Sequence, residues 1–216
     1  MGKGKNEERT MQEQAIYGKY GDYLPKILED ISQRIKAENK KIKQETGHKL
    51  FEHFNARVKD EASMLEKCTR KNLPPTPESA LKKIRDAIGI RIVCGFIDDI
   101  YQTIDIIRGL RGCNIILEKD YILSAKPNGY RSYHLILEVE TPYEDCLGNQ
   151  PGSYFVEVQL RTIAMDSWAS LEHQMKYKHE IKDTKRIVRE LKRCADELAS
   201  CDVTMQTIRN LIRESE

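Results

Sequence analysis

Val156-Glu-Val-Gln-Leu-Arg161 alternates strictly between apolar and polar side chains. Successive side chains of a β-strand point to opposite faces, so this alternation predicts a strand with one apolar face and one polar face. The apolar face belongs in a hydrophobic core. The polar face would present a carboxylate, an amide and a guanidinium in a row, either to solvent as an ordinary surface or to a binding site. A helix is predicted to follow at 164–178, and it contains Trp168, the only Trp of the chain.

The rest of the chain contains elements of both kinds. Ile88-Gly-Ile-Arg-Ile-Val-Cys94 is a short β-branched run between two helical patterns, which predicts a buried strand. This mixture predicts an α+β fold, with a small mixed β-sheet flanked by helices and helical extensions at both ends. Further strands are predicted near 115–121, 132–140 and 154–161, and helices at 24–47, 49–54, 60–70, 77–86 and 100–110, the last of them capped by Asp98 and Asp99.

The C-terminal segment has a heptad pattern. Its apolar residues alternate spacings of four and three, as in a coiled-coil seam. Such a helix either lies on its own domain or contacts another subunit. We therefore expect a disordered N-terminus at 1–10, a helical extension at 11–50, a central domain at 51–180, and at 181–216 a helix that makes an oligomer contact. The seam residues are Ile187, Leu191, Cys194, Leu198, Cys201, Met205, Ile208 and Ile212.

Composition narrows the classes of protein that this chain can be. Of its 216 residues, 39% are hydrophobic and 32% are charged, which is typical of a globular domain with a highly charged surface. The formal net charge is only +2, so no global basic field marks a dedicated nucleic-acid binder. The six Cys residues show no CxxC spacing, which favours reduced thiols in a cytoplasmic protein. No apolar run approaches a membrane span, so no membrane association is expected.

A second motif, Lys126-Pro-Asn-Gly-Tyr-Arg-Ser-Tyr-His134, combines cations with aromatic rings around an Asn-Gly turn signal. Lys126, Arg131 and His134 can contact phosphate oxygens, and Tyr130 and Tyr133 offer flat faces to a nucleobase. The segment is either a nucleotide clamp or a hairpin tip with ordinary surface side chains.

Three segments together resemble one family. They are the 126–134 segment, Glu157-Val-Gln-Leu-Arg-Thr162, and Ala164-Met-Asp-Ser-Trp-Ala-Ser-Leu-Glu-His173. In order and spacing they resemble the synthetase domain of the RelA/SpoT-type alarmone enzymes, in particular the single-domain small alarmone synthetases. The resemblance extends from about residue 51 to residue 178. It implies a GTP pyrophosphokinase of the stringent response, which transfers the β,γ-pyrophosphate of ATP to the ribose 3′-hydroxyl of GTP or GDP and yields pppGpp or ppGpp and AMP.

The resemblance also implies a cofactor and partners. Mg²⁺ would be held by Asp86 and Glu157, and Glu157 would in addition activate the attacking 3′-hydroxyl as a general base. For Asp86 the alternative is an ordinary helix-end residue. The implied assembly is a homo-oligomer, with a tetramer favoured, and single-stranded RNA or pppGpp is an implied regulator.

The substrate-binding residues are likewise implied by the resemblance. Ser63, Lys67 and Arg70 are spaced to share one helix face, which would suit a triphosphate but is also common on solvated basic helices. Arg57 and Arg91 would pack against the adenine, and Tyr130 would stack on the guanine. The ATP side would comprise Arg57, Lys59, Ser63, Lys67, Arg70 and Arg91, and the GTP side Lys119, Lys126, Tyr130, His134 and Gln159.

Two further expectations concern activity. None of the five His residues is followed by Asp, so the His-Asp metal motif of the bifunctional relatives is missing and we expect synthesis without hydrolysis. The alternative function is a catalytically silent nucleotide- or RNA-binding module on the same fold, since rings beside cations also bind single-stranded RNA. The pair Asp86 and Glu157 favours the enzyme, because a mere binder does not need two carboxylates in a phosphate site.

Overall fold

The structure, a computed structural model, describes residues 15–177 and 184–215. A short 3₁₀ helix at Gly18–Tyr23 precedes the first α-helix, and a π-helical turn at Ser79–Lys83 precedes the second strand. The strands are β1 (His53–Val58), β2 (Ile88–Cys94), β3 (Cys113–Asp120), β4 (Tyr133–Thr141) and β5 (Gly152–Thr162). The α-helices are α1 (Leu24–Thr46), α2 (Glu61–Arg70), α3 (Ile97–Arg108), α4 (Ile163–Tyr177) and α5 (Thr184–Glu214).

The five strands form one mixed sheet in the order β1-β2-β5-β4-β3. β2 and β5 run parallel, and the other neighbouring pairs are antiparallel. One face of the sheet is apolar and packs against α1 and α3, so the core lies on that side. The α+β prediction is confirmed: a small mixed sheet is flanked by helices, with helical regions at both ends.

Helix α1 follows from its sequence. Pro25 lies in its first turn, where the missing backbone N–H costs nothing. Ile27, Ile31 and Ile35 recur at helical spacing and are buried against the sheet. Gly47 ends the helix with a left-handed φ of 78°, which glycine adopts without steric cost.

Two of the local predictions are wrong, and a third is right only in part. The predicted helix at 49–54 is absent from the described structure, because β1 begins at His53 and pairs antiparallel with β2. The predicted helix at 77–86 is confirmed over 77–83, where the chain is helical and closes with a π-helical turn, but it ends three residues early because the backbone is extended at Ile84. Asp98 and Asp99 do not cap α3: the helix begins at Ile97, so both lie in its first turn.

Helix α5 packs on its own domain through its first half. Leu191 and Ala195 are buried against Trp168 of α4, and Trp168 Nε1 donates a hydrogen bond to the carbonyl oxygen of Leu191 at 2.9 Å. Farther along, Thr162 Oγ1 donates to Asp202 Oδ2 at 2.6 Å. Beyond that point the seam is exposed, with Met205, Ile208 and Ile212 about half accessible.

Some expectations fall outside the described residues. They are the disordered segment 1–10, the end of the predicted helix at residue 178 and the domain boundary at 180/181. Within the two described ranges, no helix has the length and apolarity needed to cross a membrane.

Candidate active site

The polar face of the sheet bears one continuous row of functional side chains. Strand pairing aligns Asn55, Arg91, Gln159, His134 and Lys119, one residue from each of the five strands. Directly paired residues project to the same side of a sheet. The row therefore crosses the whole face, with arginine toward the β1 edge and His134 and Lys119 toward the β3 edge.

Glu157 lies in the next row, on the central strand. Its paired neighbour on β2 is Gly89, and the partner of Gly89 on β1 is Arg57. The missing side chain at Gly89 leaves room above the sheet between Arg57 and Glu157. A cleft of about 460 Å³ opens there, and Asp86, Arg91 and Gln159 also line it.

Asp86 is supplied by the segment between the π-helical turn and β2. Lys59 Nζ lies 2.5 Å from its Oδ2, and Lys67 Nζ contacts the same oxygen. Burial acts to raise the pKa of Asp86, but the hydrogen bonds and charges of the two lysines outweigh it and hold the pKa below its usual value. Asp86 Oδ1 is buried and has no hydrogen-bond partner in the described part of the chain.

Glu157 is also held as a carboxylate. Gln159 Nε2 donates to its Oε2 at 2.9 Å, and His134 Nδ1 lies 3.7 Å from its Oε1. Burial acts to raise the pKa of Glu157, but the interactions with nearby His134 and the hydrogen bond from Gln159 outweigh it, so the pKa is lowered. Two ionised carboxylates, Asp86 and Glu157, thus line the same cleft.

The chemistry of these donors fits a divalent cation. Mg²⁺ is commonly held by one or two carboxylates together with substrate phosphates. The unpartnered Oδ1 of Asp86 and the carboxylate of Glu157 are oxygens of this kind. Among the described residues, no group of three or more His, Cys, Asp and Glu side chains could form a cage from protein alone. The remaining ligands would have to be phosphate oxygens and water.

The predicted ATP-side residues fall into two groups. Arg57, Lys59 and Arg91 line the cleft, and Lys67 reaches it through its contact with Asp86. Ser63 and Arg70 are exposed on α2 and are not among the described residues that line the cleft. The backbone N–H of Ser63 donates to the capping Asp60 at 2.9 Å, so Ser63 takes part in the N-cap of α2 through its backbone.

The predicted GTP-side residues lie together at the other end of the row. The Tyr130 hydroxyl lies 2.8 Å from His134 Nε2, and Lys126 Nζ lies 4.7 Å from the centre of the Tyr130 ring. Lys119 is exposed and pairs with His134 across the strands. Gln159 lies next to His134 on the central strand and connects this end to Glu157.

Sequence analysis missed the role of Arg161, which is only 5% exposed. Its guanidinium donates to Asp166 Oδ1 at 2.8 Å, to the Tyr130 hydroxyl oxygen at 2.9 Å and to Gln159 Oε1 at 3.1 Å. The available signal was its position on the polar face of the alternating strand, two residues after Gln159. Asp166, which has no predicted role, also lies 3.5 Å from Arg91 and so joins the two ends of the site.

Helix α5 packs against the segment at 126–134 that contains the predicted GTP-side residues Lys126, Tyr130 and His134. Gly129 has a φ of 92°, and a Cβ at this position would lie 2.5 Å from Ala195 Cβ and 3.2 Å from Lys192 Cα. Arg131 Nη2 lies 3.7 Å from Asp196 Oδ1 of the same helix. The Asn128-Gly129 turn therefore packs in direct contact with α5, and a side chain at Gly129 would force the two apart.

Comparison with known proteins defines the class. The family model described as "Region found in RelA / SpoT proteins" matches residues 56–182. GTP pyrophosphokinase YwaC of Bacillus subtilis is 41% identical over 150 residues, which cover 69% of this chain and 70% of that protein. The crystal structure of small alarmone synthetase 1 from Bacillus subtilis bound to its product pppGpp has a TM-score of 0.76 and 31% identity, over 88% of this chain and 94% of that one.

A structure of the same Bacillus subtilis synthetase bound to AMPCPP has a TM-score of 0.70 and 28% identity, over 88% of this chain and 94% of that one. The fold and the polar cleft thus define a nucleotide-binding synthetase domain. The chain belongs to the RelA/SpoT family, and the resemblance inferred from its motifs is confirmed.

Proposed function

We infer that this protein is a GTP pyrophosphokinase that transfers the β,γ-pyrophosphate of ATP to the ribose 3′-hydroxyl of GTP or GDP. The observation that supports this most directly is that Asp86 and Glu157 line one cleft, while Asp86 Oδ1 has no partner among the described residues. Phosphoryl-type transfer depends chiefly on positioning and on neutralising charge along the phosphates. The cleft provides the cations Arg57, Lys59 and Arg91 beside its two carboxylates. On the same face of the sheet, the row of polar side chains continues to His134 and Lys119.

The geometry suggests a role for each end of the row. ATP would bind toward β1 and β2, with Arg57 and Arg91 against the adenine and Lys59 and Lys67 against the phosphates. GTP would bind toward β4 and β3, with Tyr130 against the guanine. Lys119, Lys126 and His134 would contact its phosphates, and Gln159 its ribose or base. Ser63 and Arg70, which are exposed on α2, would contact the ATP phosphates from outside the cleft.

Glu157 is suited to activate the acceptor hydroxyl. It lies on the central strand between the two ends, and its pKa is lowered, so it is ionised and able to accept a proton near neutral pH. His134 and Gln159 orient the carboxylate through their contacts with its two oxygens. Mg²⁺, when bound by Asp86 and Glu157, would neutralise phosphate charge and align the pyrophosphate for transfer.

We further propose that the enzyme acts in the cytoplasm as a homo-oligomer, a tetramer by preference. The support is the exposed second half of the α5 seam, where Met205, Ile208 and Ile212 are about half accessible. Single-stranded RNA or pppGpp would bind as a regulator. Sedimentation at working concentration tests the assembly, and a single 25.1 kDa species would contradict it.

The activity is tested by incubating the purified chain with ATP, Mg²⁺ and either GTP or GDP. We expect AMP and a 3′-diphosphorylated guanosine nucleotide, resolved by anion exchange and identified by mass. The Glu157→Gln variant should bind the ATP analogue AMPCPP but form no product, since Gln cannot accept the proton. Wild-type protein that binds nucleotide or RNA but releases no AMP would instead identify the catalytically silent binding module.

A further inference from the structure

Two lysines from different elements occupy one oxygen of Asp86. Lys59 follows β1 and Lys67 belongs to α2, yet both ammonium groups lie on Oδ2. All three side chains are largely shielded from water, with exposures of 18%, 22% and 13% for Lys59, Lys67 and Asp86. The carboxylate is thus ion-paired before any substrate is bound, while its second oxygen, Oδ1, has no partner within the described ranges.

This arrangement opposes the binding of a free divalent cation. A cation on Asp86 would lie a few ångströms from two ammonium groups whose charges are poorly screened. Like charges at such short range repel strongly where water is largely excluded, and a divalent ion doubles the repulsion from each lysine. The single negative charge of Asp86 is already neutralised by the lysines, so it offers little compensation.

A triphosphate would reverse this balance. Its oxygens bear several negative charges and accept hydrogen bonds from ammonium groups. Lys59 and Lys67 are long and flexible, so their Nζ atoms can move from Asp86 to phosphate with small changes in side-chain torsion. Asp86 would then present both oxygens, and the phosphates would supply the negative charge and the further ligands that Mg²⁺ requires.

We propose that Lys59 and Lys67 form a guard on Asp86, which excludes divalent metal from the nucleotide-free protein and opens when a nucleoside triphosphate draws both ammonium groups onto its phosphates. Metal and donor nucleotide then enter together. This inference rests on the proposed function in that it takes the cleft to be a nucleotide site, but it concerns metal binding and not turnover.

The test measures Mn²⁺ binding by the loss of the free-ion EPR signal, with no acceptor present. The α,β-methylene analogue of ATP serves as the donor, because the bond that would break in pyrophosphoryl transfer is replaced. We expect wild-type protein alone to bind Mn²⁺ weakly. With the analogue, the protein should bind Mn²⁺ at least about tenfold more tightly than protein and analogue do separately, a difference of about 1.4 kcal/mol.

Removing the two lysine charges should allow Mn²⁺ to bind at Asp86 in the absence of nucleotide. Lys59→Met, Lys67→Met and their combination should each tighten Mn²⁺ binding to the nucleotide-free protein by about tenfold or more. Lys71→Met is the matched control, because Lys71 is an exposed lysine next to the end of α2 and the variant loses the same charge. Adding Asp86→Asn to the double variant should abolish the gain, which would locate the new binding at Asp86.

Two results would overturn the guard. One is wild-type protein that binds Mn²⁺ equally well with and without the analogue. The other is a folded Lys59→Met or Lys67→Met variant whose affinity matches that of Lys71→Met. The wild-type comparison stands even if a variant does not fold. Failure of alarmone synthesis with intact nucleotide-gated Mn²⁺ binding would reject the proposed function alone, whereas normal synthesis with ungated binding would reject only the guard.

Discussion

The buried guanidinium of Arg161 donates a hydrogen bond to the hydroxyl oxygen of Tyr130 at 2.9 Å, across 31 positions of sequence. The same side chain contacts Gln159 and Asp166. The predicted guanine-stacking ring is therefore held by the strand that bears Glu157. Tyr130, Gln159 and Asp166 are thus all held by Arg161, a residue to which sequence analysis gave no function.

Replacing Arg161 with Lys should impair use of the acceptor. Lysine keeps the charge but cannot reproduce the planar fork that reaches three acceptors. Losing hydrogen bonds of a charged group costs about 1.5–3 kcal/mol each, so we expect kcat/KM for GTP to fall about tenfold or more. KM for ATP should change much less. Steady-state kinetics with each substrate varied in turn would measure both.

The control for this substitution is Arg193→Lys, because Arg193 is 72% exposed on α5 and, among the described residues, forms ion pairs only with neighbouring glutamates. Its kinetics should match wild type. Equal losses for ATP and GTP in Arg161→Lys would show that the arginine supports the whole sheet and has no particular role on the acceptor side.

Replacing Gly129 with Ala should destabilise the protein and weaken acceptor binding. The positive φ costs an L-residue about 1–2 kcal/mol, and the added Cβ would meet Ala195 Cβ at 2.5 Å. Overpacking of this kind typically costs about 1–3 kcal/mol more. Thermal unfolding should show a lower Tm, and KM for GTP should rise because the Asn128-Gly129 turn is displaced from α5.

Gly148→Ala separates the two causes. Gly148 has a similar φ of 85°, but no described atom lies within 4 Å of its added Cβ. It should show the backbone cost without the clash and without the effect on KM. The double variant Gly129→Ala with Ala195→Gly should recover part of the lost stability. No recovery would argue that contact with α5 is not what holds the turn.

Replacing Asp145 with Asn should destabilise the segment that leads into Asp86. Asp145 is buried, pairs with Lys82 of the π-helical turn at 2.8 Å and accepts further hydrogen bonds from Asn149. Removing one member of a buried ion pair costs about 3–5 kcal/mol, because the other charge is left unpaired. Chemical denaturation would measure the loss. Glu144→Gln is the control, since its pair with Lys19 is solvent-exposed and worth about 1 kcal/mol or less.

Asp145 should also make the stability of the protein depend on pH. Burial acts to raise the pKa of Asp145, but Lys82 and Asn149 outweigh it and hold the pKa well below the usual 3.8. A carboxyl group with a lowered folded-state pKa stabilises the fold above its unfolded pKa and loses that contribution as the pH falls below it. The difference in unfolding free energy between wild type and Asp145→Asn should therefore be constant near neutral pH and shrink below about pH 4.

For Asp202 we expect stability to depend on pH in the opposite direction. Burial raises its pKa above 3.8, although Thr162 donates a hydrogen bond to it. A folded state that holds the proton more tightly loses stability as the pH rises from the unfolded pKa through the folded one. Asp202→Asn should therefore raise Tm at neutral pH, with a gain that disappears on acidification below about pH 4. A gain that is independent of pH would argue against this cause.

Local patterns predicted much of the fold. The isoleucine spacing of α1, the β-branched run of β2 and the alternation of β5 each depend on neighbours within one element, so a single sequence reveals them. The RelA/SpoT motifs lie in such continuous segments. They predicted the family, which is confirmed, and a set of site residues, most of which line one face of the sheet.

Other features depend on residues that meet only when the chain folds. Strand β1 was missed, and its first two residues fell within the helix predicted at 49–54, because the state of this segment is decided by hydrogen bonds to β2 and not by its own periodicity. The row from Asn55 to Lys119 requires the register of all five strands. The convergence of Lys59 and Lys67 on Asp86, and of Arg161 on Tyr130, requires packing between distant elements. Composition and spacing encode none of these distances, because each depends on long-range contacts made in three dimensions.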